Sequence, residues 1–205
     1  MTVDTTGPED VPDGDAGLSP QPAERLQALM KHIEGTDALD EMAARLSSWL
    51  PDWVLAGRGR EILSGKWLGH SLHPLLTDFP LGCWASASLL DLLGLGRHRD
   101  AARRLVGLGL LASLPTAAAG LSDWSRLATP DRRVGLVHAQ LNTLVLALYG
   151  ASYVQRRRHR GGRGIALAIL GGLAATASGY LGGHLTTTRA VTRDNRLLDA
   201  PVAGT

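Results

Sequence analysis

Six ionisable side chains stand at the edges of apolar stretches, where they could bind a metal or a haem. Imidazole is the commonest side-chain ligand of metals and also ligates haem iron. A neighbouring carboxylate can fix a histidine tautomer or itself bind a harder metal. The alternative is structural, since such histidines can reach water and such aspartates can cap helices or pair with arginines. The six residues are His70, His73, Asp78, Asp123, His138 and His184.

These side chains lie within or next to four charge-poor stretches of about twenty residues each. A helix rises 1.5 Å per residue, so roughly twenty residues cross the ~30 Å hydrocarbon core of a bilayer. Short arginine-rich loops join the stretches, which is typical of membrane helices rather than of buried soluble ones. The sequence therefore predicts an all-α fold: a four-helix transmembrane bundle over residues 67–190, with spans near 75–96, 105–124, 134–154 and 164–185.

An up-and-down connection of four spans places all six side chains at the membrane face that carries the chain ends. Ionisable groups within a membrane are costly, so they usually face a bundle interior, a cavity or one another. The predicted cofactor ligands are therefore His70, His73, His138 and His184. The predicted metal ligands are the same histidines with Asp78 and Asp123. Because His73 precedes Pro74, His70 and His73 are expected on an entry turn and not on one helix face.

The chain before the spans divides into two regions. Residues 1–20 are acidic and rich in proline and glycine, so they cannot bury enough apolar surface to offset chain entropy, and we expect disorder. Residues 21–66 carry apolar side chains at helical spacing, which is typical of soluble amphipathic helices. These helices either pack on the membrane domain or lie on the bilayer surface. Residues 191–205 form the predicted C-terminal tail.

The distribution of arginine bears on membrane orientation. The short loops after the first and third spans are dense in arginine, which favours the cytoplasm for these loops and the outside for both chain ends. Basic residues flanking the bundle indicate the reverse, so the orientation stays open. The arginines of these loops are better explained as a topology signal and as contacts with anionic lipids than as a nucleic-acid site. No nucleic-acid partner is expected.

Small residues recur every fourth position on two of the spans. Such spacing lets membrane helices approach closely where lipid offers no hydrophobic drive. On the last span, the stripe also offers a face for a homodimer. The stripes are Gly109, Ser113 and Ala117, and Gly171, Ala175, Gly179 and Gly183.

Four blocks carry a recognisable pattern, at residues 67–84, 114–124, 137–142 and 179–184. In this order they resemble a bacterial membrane protein family, the domain of unknown function 2231, over about residues 60–190. The resemblance implies a helical membrane domain that is sometimes joined to a Rieske iron–sulfur domain, and hence electron transfer. A Rieske cluster needs two cysteines and two histidines. Because this chain has one cysteine, Cys83, a Rieske partner would be a separate protein.

Two functions from different classes follow. The first is a non-enzymatic, multi-pass protein of the bacterial inner membrane that binds haem b or a transition metal in electron transfer or metal handling. The second is a non-catalytic scaffold or anchor for a partner protein, in which the histidines and aspartates hold the bundle together. Nucleotide-binding and nucleophile motifs are missing, which counts against catalysis. Transport of a small solute is a third hypothesis, and with four spans it would need a dimer.

Overall fold

The computed structural model describes residues 21–94 and 97–188, and every regular element in these residues is helical. The all-α prediction is confirmed for this part of the chain. The predicted tails at 1–20 and 191–205 lie outside the described residues. Four short helices come first: α1 (Pro22–Glu34), α2 (Ala38–Trp49), α3 (Asp52–Leu55) and α4 (Gly57–Leu63). Four long ones follow: α5 (Leu72–Gly94), α6 (Arg99–Trp124), α7 (Thr129–Arg157) and α8 (Gly161–Gly183).

Short turns of tighter or wider helix flank the long helices. A 3-10 turn at Lys66–Leu68 leads into α5, and a π-helical turn at His184–Thr188 follows α8. Helix α5 begins at Leu72, so His73 lies within its first turn and Pro74 occupies its third position. Proline is tolerated there because the first turn of a helix lacks partners for its N–H groups. His70 lies before the helix, as the predicted entry turn requires, but the prediction is wrong for His73, which is already helical.

Three of the four long helices are long and apolar enough to cross a membrane: α6, α7 and α8, the last with its π-helical turn up to Thr186. Helix α5 does not reach the same mean hydropathy. Two carboxylates, Asp78 and Asp91, together with Pro80 lower its average, although most of its other residues are apolar. The four-span prediction is therefore confirmed for three helices.

The long helices form two antiparallel hairpins, α5–α6 and α7–α8. Each hairpin is closely packed along its length, and α6 and α7 join the two hairpins. Helices α5 and α7 run in the same direction on opposite corners of the bundle and meet through long side chains across its centre. The main core lies at that meeting point, around Trp84, Val106, Val145 and Tyr149.

The predicted small-residue stripes are only partly at helix contacts. A Cβ atom added to Gly109 would lie 2.3 Å from Trp84 Nε1, and one added to Gly171 would lie 2.9 Å from Tyr149 Cε2. These two glycines therefore make room for aromatic rings. Gly179 and Gly183 have open space where a Cβ would stand, so the stripe on α8 faces the interior only at its beginning.

The helices before the bundle pack on the bundle itself, which answers the question that the sequence left open. Met30 of α1 is buried against Val134 and Leu181, and Ala43 of α2 is buried against Trp124 and Leu136.

Arg133, near the start of α7, joins these helices to the bundle. Its guanidinium donates to Asp40 Oδ1 at 2.8 Å, to Asp37 Oδ1 at 2.5 Å and to the Glu34 carbonyl at 2.7 Å. The first turns of α7 therefore serve as the docking surface for α1 and α2.

Candidate functional site

The structure brings two of the six predicted residues together in the interior of the bundle. The imidazole rings of His73 on α5 and His138 on α7 meet edge to face, with centroids 6.3 Å apart and planes 89° apart. Both side chains are half-buried. The pair joins the two hairpins at the end of the bundle near the N-termini of α5 and α7.

His73 is held by the neighbouring helix of its own hairpin. Its Nδ1 lies 2.9 Å from the carbonyl oxygen of Thr116 on α6. The ring lies against Gly120, where an added Cβ would come within 2.7 Å of His73 Cε1. Thr116 also donates its hydroxyl to the Leu76 carbonyl at 3.2 Å, so α5 and α6 are joined by polar contacts in both directions.

His138 is held in the same way by α8, within a closed ring of hydrogen bonds. Its Nδ1 lies 2.8 Å from the Ser178 carbonyl oxygen, and the ring lies against Gly182. The Ser178 hydroxyl donates to Asn142 Oδ1 at 3.0 Å, and Asn142 Nδ2 donates to His138 Nε2 at 2.9 Å. Asn142 of α7 thereby makes an interhelical hydrogen bond to α8.

These contacts assign the tautomer of both histidines. A backbone carbonyl can only accept a hydrogen bond, so Nδ1 must carry the proton in each ring. The lone pair then lies on Nε2. This is the arrangement in which a histidine can bind a metal through Nε2 while a carbonyl orients the ring.

The other four predicted residues do not join this pair. Asp123 accepts from the Ser71 hydroxyl at 2.6 Å and pairs with Arg126. His184 Nε2 lies 3.3 Å from Glu34 Oε1. His70 and Asp78 are exposed. Among the residues that the structure describes, no three His, Cys, Asp or Glu side chains are grouped as a metal site requires.

This geometry does not fit haem or a complete metal centre as it stands. Imidazole rings in edge-to-face contact leave no room between them for a macrocycle, because a centroid distance of 6.3 Å is that of direct ring contact. Transition metals in proteins usually take three or four protein ligands, and only two histidines converge here. Either group would require the helices to move or other ligands to approach.

The two hairpins repeat the same set of positions, which the sequence alone did not reveal. On α7, His138, Tyr149 and Arg156 each lie 65 positions after their counterparts on α5, His73, Trp84 and Asp91. On α8, the buried or ring-contacting residues lie 62 positions after their counterparts on α6. These counterparts are Thr116 and Ser178, Gly109 and Gly171, and Gly120 and Gly182.

Each α5 residue of this repeat meets its own counterpart across the bundle centre. The histidines form one layer, and the stacked rings of Trp84 and Tyr149 form the next. Asp91 and Arg156 form the third layer as a bidentate ion pair whose side chains are only 6% and 4% exposed. The two hairpins are therefore related by a pseudo-two-fold axis that runs along the helices between α5 and α7.

The buried ion pair is a feature that sequence reasoning missed. Arg97 is the arginine nearest to Asp91 in the sequence, whereas the partner of Asp91 comes from the arginine run after the third apolar stretch. The available signal was the shared spacing, since Asp91 and Arg156 both follow a buried aromatic residue by seven positions. Equivalent positions next to a two-fold axis face each other, so two residues of opposite charge at such positions can form an ion pair.

The comparisons with known proteins agree with this helical architecture. The family model described as predicted membrane protein (DUF2231) matches residues 69–195, more than half of the chain. None of the curated proteins and none of the solved structures matches this chain. The matched region includes α5 to α8 and both histidines of the central pair. The chain belongs to the DUF2231 family of predicted membrane proteins.

Proposed function

We propose that this chain is a multi-pass protein of the bacterial inner membrane in which α5 is the fourth span. Its support is the surface of α5, where large apolar side chains face outward: Leu75, Phe79, Leu89, Leu92 and Leu93 are each more than half exposed. Apolar side chains on the outside of a helix suit contact with lipid. Helix α5 also pairs along its length with α6, which itself is long and apolar enough to span.

Cysteine labelling tests this fourth span. In a Cys83→Ala background, Ser48→Cys lies before α5 and Arg97→Cys lies after it, and both positions are exposed. If α5 crosses the bilayer, a membrane-impermeant maleimide added to sealed vesicles labels one position and not the other. Labelling of both from the same side would contradict the four-span arrangement.

We further propose that the bundle is a non-catalytic membrane scaffold that anchors a partner protein. The observation that carries this proposal is that both central histidines join neighbouring helices. Each Nδ1–H donates a hydrogen bond to a backbone carbonyl of the adjacent helix. The remaining predicted ligands that are not exposed also have protein partners. Polar groups used in this way stabilise a membrane bundle, because lipid offers them no hydrogen bonds.

The scaffold hypothesis predicts that replacing the central histidines lowers stability without changing the cofactor content. His73→Ala and His138→Ala should each lower the unfolding temperature in detergent, since each removes an interhelical hydrogen bond worth about 0.6–1.7 kcal/mol in membrane proteins. His70→Ala is the matched control, because this exposed histidine lies just before α5 and should change stability little. Purified wild-type protein should be colourless and free of stoichiometric metal.

A transition metal or haem b, bound in electron transfer or metal handling, is the second candidate. The observation that favours it is the assigned tautomer, which directs the Nε2 lone pair of His73 away from the Thr116 carbonyl oxygen. The Nε2 atom of His138 accepts a hydrogen bond from Asn142, so a metal at this atom would have to displace the amide. Absorption spectra of oxidised and dithionite-reduced protein, with elemental analysis, decide between the candidates. A Soret band or one metal per chain, lost in both His73→Ala and His138→Ala but kept in His70→Ala, would replace the scaffold with this function.

The partner that the family resemblance implies is a separate Rieske-type iron–sulfur protein. A scaffold needs a docking face, and the helices α1 to α4 cover one end of the bundle. Site-specific crosslinking from exposed positions of α2, such as Met42 and Trp49, should then capture an iron–sulfur protein. Crosslinking of this chain only to itself would support a homodimer and contradict a Rieske partner.

A further inference from the structure

A shallow, open groove lies at the end of the bundle opposite the central histidines, between the start of α6 and the α7–α8 connection. Its volume is about 560 Å³, and its lining residues are Arg99, His159, Arg160, Gly161, Gly162 and Arg163. A smaller adjoining cavity of about 70 Å³ reaches inward to the buried pair of Asp91 and Arg156. The groove and this cavity share Arg99, His159 and Gly161, so the groove lies next to an ion pair of the core.

The cations of this groove have no acidic partner among the described residues. The two nearby carboxylates are already used, because Asp91 pairs with Arg156 and Asp100 pairs with Arg103. Arg99, Arg160 and Arg163 therefore face the groove with uncompensated charge. Positive charges grouped along one groove attract an anion more strongly than the same charges spread over the whole surface.

The backbone around the groove also suits an anion. Helix α8 begins at Gly161, and the N–H groups of its first turn lack partners within the helix. Gly161 and Gly162 have no side chains to cover these groups, and the Arg99 guanidinium lies just beyond Gly161. His159 adopts a left-handed conformation at φ 57°, which is unfavourable outside glycine and is typical of functional turns.

We propose that this groove binds the phosphate head group of an anionic phospholipid. A lipid fits better than a soluble anion because Leu92 and Leu93, which follow Asp91 of the adjoining cavity in the last turn of α5, are exposed apolar side chains at the same end of the bundle. The phosphate would lie among the three arginines, and the acyl chains would follow the outside of α5. Basic pockets at the ends of membrane helices bind anionic head groups in this manner.

The test compares two triple variants of equal charge change in nanodiscs. The groove variant is Arg99→Ala, Arg160→Ala and Arg163→Ala; the control is Arg104→Ala, Arg157→Ala and Arg158→Ala, which removes exposed arginines outside the groove. Retention of phosphatidylglycerol over phosphatidylcholine is measured by native mass spectrometry. Each basic residue contributes roughly fivefold to anionic-lipid affinity. The groove variant should therefore lose about a hundredfold in affinity, and the control far less.

Three outcomes would overturn the proposal. Equal losses in both variants would mean a diffuse basic surface without a site. An unchanged preference for phosphatidylglycerol in a folded groove variant would mean that lipid binds elsewhere. Displacement of the bound lipid by millimolar inorganic phosphate would assign the groove to a soluble anion. Thermal unfolding of both variants in detergent shows whether each is folded, and Arg160→Ala alone replaces the triple variant if that variant is not.

Discussion

The rings of Trp84 and Tyr149 stack face to face at the centre of the bundle, with centroids 4.1 Å apart and planes 9° apart. Each ring follows a histidine of the central pair by eleven residues, and each lies over a glycine of the adjacent helix. Stacked aromatic pairs contribute about 0.5–1.5 kcal/mol beyond the burial of their surface. This stack therefore connects the two repeated hairpins where their backbones do not touch.

Alanine at either of these glycines should destabilise the protein. In Gly109→Ala the new Cβ would lie 2.3 Å from Trp84 Nε1, and in Gly171→Ala it would lie 2.9 Å from Tyr149 Cε2. Overpacking of this kind costs about 1–3 kcal/mol. Thermal unfolding in detergent should show a lower midpoint for both variants. Gly179→Ala, on the same helix as Gly171 but with open space at its Cβ, is the control and should unfold at an equal or higher temperature.

The repeat further predicts that the two rings can exchange places. Trp84→Tyr leaves a gap above Gly109, and Tyr149→Trp crowds the space above Gly171, so each single change should lower the unfolding midpoint. The double variant keeps the total ring size at the axis. The double variant should lose less unfolding free energy than the two single variants lose together. The difference should be about 0.5–3 kcal/mol, which is the usual coupling between residues in contact. Strictly additive losses would mean that the hairpins are not equivalent around this layer.

The long helices were predictable because their signal is local. Charge-poor stretches of spanning length predict four long helices, and each stretch lies largely within a long helix of the structure, such as 75–96 and Leu72–Gly94. The partners across the axis were not predictable, because they depend on which helices share a diagonal. Arg156 illustrates the difficulty, since it lies in a basic run that also serves as a topology signal. Helix α7 continues to Arg157, and its last turns carry this side chain inward to Asp91.

The repeat escaped sequence comparison for a related reason. Counterparts that meet on the axis must complement each other, so their identities differ: tryptophan faces tyrosine and aspartate faces arginine. Equivalent positions on the axis are therefore occupied by different residue types. Among the pairs that meet on the axis only the histidines are identical, although the glycines that contact the rings, Gly109 and Gly120 with Gly171 and Gly182, also repeat. The common spacing of the histidines to the stack becomes visible once the contacts are known.

Breaking the central ion pair should be costly. Asp91→Asn leaves the Arg156 guanidinium, which is 4% exposed, without its counter-charge. Removing one partner of a buried pair costs about 3–5 kcal/mol, whereas replacing both by apolar residues is often neutral. Asp91→Leu combined with Arg156→Met should therefore unfold at a higher temperature than Asp91→Asn. The Ser152 hydroxyl, which donates to the Gly164 carbonyl at 2.6 Å, should keep this hydrogen bond in the double variant.

The matched control for this pair is an ion pair on the surface of the neighbouring helix. Asp100 and Arg103 lie 3.2 Å apart, with the Asp100 side chain 82% exposed. Exposed pairs of this kind contribute about 0–1 kcal/mol. Asp100→Asn should therefore leave the unfolding midpoint nearly unchanged. Equal effects of Asp100→Asn and Asp91→Asn would contradict a structural role for the buried pair.

Acid should release α1 and α2 from the bundle. The hydrogen bond from Arg133 and its positive charge hold the pKa of the Asp40 carboxyl below the ordinary value of 3.8. A carboxyl with a lowered pKa stabilises the folded state fully above its unfolded pKa, and this contribution is lost as the pH falls through the folded pKa. The docked state should therefore weaken below about pH 4. Hydrogen exchange of residues 21–50, corrected for the intrinsic pH dependence of exchange, should show the loss of protection.

Two substitutions on α2 separate this contact from general acid effects. Asp40→Asn should reduce the hydrogen-exchange protection of residues 21–50 already at pH 7. Below pH 4 the protection of this variant should fall less than that of the wild type, because the neutral amide has no charge to lose. Glu41→Gln, which removes the exposed pair with Arg45 on the same helix, should behave as wild type. Equal protection in wild type and Asp40→Asn at pH 7 would show that α1 and α2 are held by the apolar contacts of Met30 and Ala43 alone.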